Sequence, residues 1–345
     1  MSLHLTHEVL HLAFNDPFRI ARDDDAHGAT TIVVELRDDR FPDIVGLGEG
    51  YVGAYYGETA GTMAAAFPTL LAAVGEPDPT REGLQAASNR MDAVLRWNGG
   101  AKCAIDIALH DLVGKVRGEP VHRLLELPAE IPPTDFTLGI DEPALVAERA
   151  LRAARFPALK IKLGGPDDVA TLRAVRAVYD GPLRVDANTG WTPAAAALLL
   201  PEMVDLGVEL IEQPFPPRRY DWLGDLQAKT DLPIVADESA VTIEDLDALV
   251  GVVAGINVKL GKCGGPGPAK QMLERARSMG FRTFLGCMEE TSVGIAASAA
   301  VASLADWVDL DGNILLAADP FVGLELDDSC RWRLGPEPGL GVRRR

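Results

Sequence analysis

The chain has 345 residues, 47% of them hydrophobic, which is enough for one large core or for a barrel with a smaller companion domain. Its formal net charge of −18 and pI near 4.7 would repel a phosphate backbone, which excludes nucleic acid as a partner. Four cysteines (Cys103, Cys263, Cys287, Cys330) lack CxxC spacing, no apolar run reaches the roughly 18 residues of a membrane span, and MSLHLTHEVLHL breaks early with polar residues. A folded protein of a reducing cytoplasm is expected, acting on a small molecule, as a homo-oligomer, with no membrane contact.

In chain order, Thr31 to Leu36 (TIVVEL) is a short β-branched strand. Between Ala101 and Val116 apolar residues recur at helical spacing until Gly118 and Pro120 stop the run, so residues 1–125 read as an α+β unit. From about Phe136 eight apolar strands alternate with helical segments: FTLGI, ALKIKLG, PLRVDAN, ELIEQP, PIVADES, GINVKLG, RTFLGCM and WVDLDG. Thr192 suits an N-cap, with Pro193 in the first turn. Such alternation implies parallel pairing with right-handed crossovers, hence a (β/α) barrel over 126–319. Residues 320–345 add no barrel unit and are expected to return to the N-terminal domain. The alternative, an open doubly wound sheet, lacks its Gly-rich phosphate turn, because Gly164-Gly165-Pro166 and Gly264-Gly265-Pro266 do not fit G-x-G-x-x-G.

A charge at the end of a buried parallel strand costs several kcal/mol unless it is paired, so each one needs a reason. Lys160 and Lys162 end strand two, Asp186 strand three, Glu212 strand four, Asp237 and Glu238 strand five, Lys259 strand six, and Asp309 and Asp311 strand eight. From Lys160 onward they recur one barrel unit apart and converge on one mouth. Residues i and i+2 share a face, so Lys160 with Lys162, and Asp309 with Asp311, point inward together. Asp186, Glu212 and Asp237 form an all-oxygen set suited to Mg²⁺, one ion per subunit; structural ion pairing with the lysines is the alternative use. All six histidines precede the barrel, which leaves proton transfer to lysine. A divalent ion and a second lysine nearby disfavour an ammonium, so a lysine pKa moved toward neutrality is expected, with Lys160 beside Lys162 as that second cation. Lys162 and Lys259 stand on opposite strands with the carboxylates between, an arrangement suited to inverting a stereocentre.

The pair Lys160-Ile161-Lys162, VDAN around Asp186, IEQP around Glu212, ADES around Asp237, NVKLGKCGG around Lys259 and AKCAIDIALHDLVGKVRGEP nearer the N-terminus resemble the muconate-lactonizing subgroup of the enolase superfamily. That resemblance implies a (β/α)7β barrel, a TIM-like fold, with an N-terminal α+β capping domain completed by the C-terminal segment, and Mg²⁺ stabilising an enediolate. Asp309-Leu310-Asp311-Gly312 resembles the DxD of dipeptide epimerases, whose aspartates hold the free α-ammonium. By the same resemblance Lys162 serves the (R) and Lys259 the (S) substrate, Lys160 hydrogen-bonds the carboxylate, and Thr137, Cys287 and Met288 contact substrate. The implied activity is 1,1-proton transfer at the α-carbon of a dipeptide's C-terminal residue. o-Succinylbenzoate synthesis and N-acylamino acid racemisation use the same enediolate and are the alternatives.

Side-chain selection is expected from loops at about 18–30 and 50–60. PFRIAR, ending in Arg22, resembles epimerases acting on Ala-Glu, where an arginine meets the glutamate; its other reading is a solvated charge. Asp23, Asp24 and Asp25 would instead greet a cationic dipeptide. Tyr51, Tyr55 and Tyr56 either line the pocket or pack the cap onto the barrel. Cys263 and Cys287 lack a histidine partner in the barrel, so cysteine nucleophilicity is not expected.

Overall fold

The computed structural model describes residues 3–22 and 27–345. Three antiparallel strands come first, β1 (Leu3–Ala13), β2 (Gly28–Asp38) and β3 (Val45–Tyr51), hydrogen-bonded in that order. The β-branched run 31–36 forms the buried centre of β2, which extends past it at both ends. Ile32, Val34 and Leu36 pack on three helices, α1 (Ala60–Val74), α2 (Arg81–Val94) and α3 (Gly99–Arg117), in one apolar cluster. Burying each such side chain contributes about 1.5–3 kcal/mol.

The helix expected over 101–116 is α3, which ends where Gly118 turns left-handed at φ 69° and its N–H donates back to the carbonyls of Gly114 and Lys115. Every residue from Gly100 to Gly114 is buried, because α3 lies between the cap sheet and the barrel. Gly46, Gly48 and Gly50 face it at alternate positions of β3. A Cβ there would stand 2.2, 1.9 and 2.3 Å from the carbonyl oxygens of Ala108, Ala104 and Gly100. The missing side chains let helix and strand touch backbone to backbone.

Eight parallel strands form the second sheet: β4 (Phe136–Leu138), β5 (Leu159–Lys162), β6 (Leu183–Asp186), β7 (Val208–Glu212), β8 (Ile234–Ala236), β9 (Gly255–Val258), β10 (Arg282–Gly286) and β11 (Trp307–Asp309). Neighbours follow chain order, and a Thr134–Val308 bridge with Asp135 N–H donating to Val308 O (3.1 Å) closes the ring. This is the TIM-like barrel with a separate N-terminal antiparallel sheet that the sequence implied. The Thr192 hydroxyl caps the helix Pro193–Asp205 by accepting from Ala195 N, as anticipated. Under the mouth, Arg184 donates to Asp135 and Glu209 (2.8 Å each) and lies over the Phe284 ring, so the floor is an internally paired ionic layer.

The C-terminal stretch pairs β12 (Phe321–Val322) with β13 (Arg343–Arg344) and runs back along α3. There Val121 N–H donates to Gly339 O, Leu340 N–H donates to the buried Asp111 carboxylate, and Arg344 pairs with Glu8 of β1. No helix among the described residues is long and apolar enough to cross a membrane.

Candidate active site

The strand ends bring the charged residues together as their spacing required. Asp186, Glu212 and Asp237 are fully buried, and one carboxylate oxygen from each lies within 4.8 Å of the others. Lys160 Nζ stands 2.9 Å from Glu212 Oε2, 3.4 Å from Asp186 Oδ2 and 2.7 Å from Asp309 Oδ2. On one side Lys162 Nζ donates to Asp186 Oδ2 (2.7 Å); on the other Lys259 Nζ lies 2.9 Å from Asp237 Oδ2. The two lysines therefore flank the triad. Glu212 Oε2 and Asp237 Oδ2 are buried and accept no well-directed hydrogen bond, which leaves both with unused acceptor capacity. Three buried carboxylates whose oxygens converge, two of them with an oxygen free of hydrogen bonds, are the donor set of a hard divalent cation, so the residues fit Mg²⁺.

The carboxylates by themselves favour the ammonium forms of Lys160 and Lys259, in opposition to the effect expected of a divalent ion. Burial alone would lower the Lys160 ammonium, but Asp309, Glu212 and Asp186 outweigh it and raise it well above its ordinary value. At Lys259 burial again works downward, and Asp237 more than reverses it, with Lys160 a weaker opposing charge. Direct pairing at under 3 Å is stronger than repulsion from a second lysine farther off. Burial, and next the Asp186 charge, push the Glu212 carboxyl up to about 7. The DxD pair splits. Burial disfavours the Asp309 carboxylate, yet Lys160 holds it well below the usual range; Asp311, desolvated and facing Asp309, is pushed up to about 8.

A cavity of about 210 Å³ opens above these groups. Its base is Lys160, Lys162 and Lys259; Thr137, Asp309 and Asp311 form one wall, Cys287 and Met288 another. Thr137 ties the DxD together, its N–H donating to Asp311 Oδ2 (2.6 Å) and its hydroxyl to Asp309 Oδ1 (3.1 Å). Tyr51, Tyr55 and Tyr56 all line the cavity, which answers the open question about them. Arg22 reaches it too, but it is not a solvated charge: it pairs with Glu238, donates to Asn188 O (3.3 Å) and stacks 4.2 Å from the Tyr55 ring centroid. Asp23, Asp24 and Asp25 lie outside the described residues. Burial raises both nearby thiols, Cys263 to about 12 and Cys287 well above its ordinary value with Asp309 and Asp311 adding to it, so neither is a nucleophile at neutral pH.

Several residues at the site had been passed over. Asn188 lines the cavity, and its N–H holds Asp186 Oδ1 (2.8 Å). Asn257 Nδ2 donates to Glu212 Oε1 (2.7 Å), and Lys262 is wholly buried against Asp237. Asn188 (φ 41°), Thr189 (φ 70°) and Gln213 (φ 33°) all adopt positive φ within three residues of a carboxylate ligand position, backbone strain of the sort that collects at functional sites. They lie in or beside VDAN, IEQP and NVKLGK, motifs in which a charge at the strand end masks the polar neighbours that support it. Glu49 of β3 is a different omission: fully buried, it accepts from Thr291 N, Thr291 Oγ1 and Gly294 N just past β10, fastening cap to barrel.

A capped barrel that sets one lysine on each side of a magnesium-type carboxylate triad is a proton-transfer enzyme of the enolase kind. The chain belongs to the mandelate racemase / muconate lactonizing enzyme family, whose N-terminal domain matches residues 5–126, while residues 144–344 match the enolase C-terminal domain-like model. It is 37% identical over 302 residues to an L-Ala-D/L-Glu epimerase of Bacteroides thetaiotaomicron, spanning 87% of this chain and 78% of the relative. A solved dipeptide epimerase of Enterococcus faecalis, complexed with Mg and L-Leu-L-Tyr, superposes with a TM-score of 0.91 at 32% identity over 99% of each chain. Another from Methylococcus capsulatus, complexed with Mg and L-Arg-D-Lys, gives 0.88 and 32%, again over 99% of each.

Proposed function

We propose that this protein is a dipeptide epimerase acting at the α-carbon of the C-terminal residue, with Ala-Glu-like dipeptides preferred. The observation that carries the reading is Lys162 and Lys259 on opposite sides of the carboxylate triad, beneath a cavity walled by Asp309 and Asp311. Asp186, Glu212 and Asp237 would hold Mg²⁺, which supplies positive charge against the substrate carboxylate as its α-carbon loses a proton. Lys160, between Glu212 and Asp309, donates to that carboxylate. Lys162 accepts the α-proton on one face while Lys259 delivers a proton to the other; the reverse reaction exchanges their roles. The two lysines end with their protonation states swapped and are reset through solvent. Thr137, by holding both aspartates, fixes the anchor for the substrate ammonium, whereas an N-acylated ligand would leave that carboxylate pair without a cation.

The relatives span acidic, aromatic and basic dipeptides at similar identity, so side-chain preference rests on this chain's own cavity. Arg22 supports an acidic residue, and the name of the Bacteroides relative agrees with it. A cationic dipeptide is the second reading, carried by Glu238, which already pairs Arg22, and by Glu289 on the same cavity. Four free thiols support a reducing cytoplasm as its compartment.

The test is a dipeptide library incubated with protein and Mg²⁺ in D₂O and read by mass spectrometry for uptake at the α-carbon. Ala-Glu is expected among the strongest responders, with uptake lost in Asp309→Asn/Asp311→Asn. Uptake from N-acylamino acids but not from free dipeptides would replace this reading with racemisation.

A further inference from the structure

Lys162 and Lys259 look symmetric about the triad, but their carboxylate partners are held differently. Asp186 keeps its second oxygen in place through a backbone donor, Asn188 N. Asp237 uses a buried charge. Lys262, with no exposed side-chain surface, directs Nζ to Asp237 Oδ1 (2.5 Å), Asp237 O (2.6 Å), Ala240 O (2.9 Å) and Asn257 O (2.9 Å). An ammonium has three protons, so these four acceptors saturate it, and none is left for a substrate. Its contacts cross from the end of β8 to β9 at the point where strand pairing stops at Ala236–Ile256. Lys259 begins the same single turn, Leu260–Cys263, and this turn is braced from outside by α3, where Gly99 approaches Lys262 O too closely for a Cβ.

We propose that Lys262 is a positioning residue: it fixes the Asp237 carboxylate so that Oδ2 alone faces the triad and Lys259, and it thereby sets the geometry of the Lys259 face. The inference rests on the proton-transfer reading above. Without Lys262, Asp237 Oδ1 becomes a buried, unpaired oxygen and the carboxylate is free to turn toward Lys259, both as metal ligand and as ion-pair partner. Asp186 and Lys162 keep their own supports. Loss of Lys262 is therefore lopsided.

Lys262→Met is the informative change, since it removes the charge and keeps the length. Mn²⁺ affinity, measured by electron paramagnetic resonance without any substrate, is expected to weaken about tenfold or more, the usual effect of deleting a carboxylate's outer partner. Deuterium uptake in D₂O is expected to fall more for the epimer whose exchange Lys259→Ala abolishes than for the other. Lys262→Arg keeps the charge and the donors, so it is expected to restore both measurements. If the methionine protein does not fold, Lys262→Gln is read in the same two assays, with the same lopsided loss expected. Unchanged Mn²⁺ affinity, equal loss on both faces, or an arginine variant as impaired as the methionine one would overturn the proposal. Absence of exchange in the unmutated protein would instead refute the proton-transfer reading.

Discussion

Gly286, at the end of β10, offers a sharp test because only space forbids a side chain there. Its backbone is in no left-handed conformation, yet an added Cβ would lie 2.8 Å from both terminal atoms of the Asn257 amide and 3.0 Å from Lys259 Cε. Ordinary contact begins near 3.4 Å, so Asn257 must retreat by 3.4 − 2.8 = 0.6 Å and Lys259 by 3.4 − 3.0 = 0.4 Å. Asn257 cannot move alone, because its Nδ2 donates to Glu212 Oε1 at 2.7 Å. Gly286→Ala should therefore disturb one base and one metal ligand together. Overpacking of this kind costs about 1–3 kcal/mol of stability, and since a 1 Å misplacement costs about 10²-fold in rate, the smaller shift asked of Lys259 should cost roughly several-fold. Urea unfolding reads the first effect, and α-deuteration of each epimer with saturating Mg²⁺ reads the second. A variant that is destabilised but exchanges both epimers at the parental rate would refute the claim that this contact governs Lys259.

Three further outcomes are expected. Lys162→Ala and Lys259→Ala should each retain α-proton exchange from one stereoisomer only, measured by proton NMR in D₂O; exchange from both in either variant would remove the two-base scheme. Asp311, raised from 3.8 to about 8, must give up its proton to meet a substrate ammonium, so KM for a free dipeptide should fall roughly tenfold per pH unit between about pH 6 and 8, as one linked proton requires. The sign for folding is opposite. The folded chain favours the protonated acid, so this group's stabilisation is complete below pH 3.8 and is lost as pH rises through 8; Asp311→Asn should flatten that part of the stability profile. Finally, Mg²⁺ should raise the melting temperature in proportion to the logarithm of its concentration, and Asp186→Asn or Glu212→Gln should abolish that rise.

The barrel and its chemistry were legible because one constraint wrote both. Buried parallel strands read as apolar runs, and a charge ending each run stands out against them, which is why Lys162, Asp186, Glu212 and Lys259 could be numbered in advance. Glu238 was named at the end of strand five, but its pairing with Arg22 was not legible for a physical reason. Alternation assigns it to the face opposite Asp237, but β8 ends at Ala236, and past that point the period of two no longer decides where a side chain goes. Lys262 sits in a helical turn, where no strand rule applies. The raised pKa of Lys160 and Lys259 was not legible, because it depends on ion-pair distances of 2.7 and 2.9 Å that motif spacing does not contain. Arg22 was found by resemblance, and its partner Glu238, 216 positions away, was not.

The Glu49 latch has a bearing on how substrate enters. With β3 bonded to the segment after β10, and with the chain's last residues laced along α3 to Asp111 and Glu8, the cap sheet is tethered to the barrel at both ends of the sequence. A tethered roof cannot lift as a unit. Admission and release would then fall to the short spans that line the cavity, Phe18 to Arg22 and Tyr51 to Tyr56, which also carry the side chains proposed to select the substrate. On that reading, gatekeeping and recognition are vested in the same few residues. Alterations there would be expected to change turnover and substrate preference together, leaving the proton-moving apparatus below untouched.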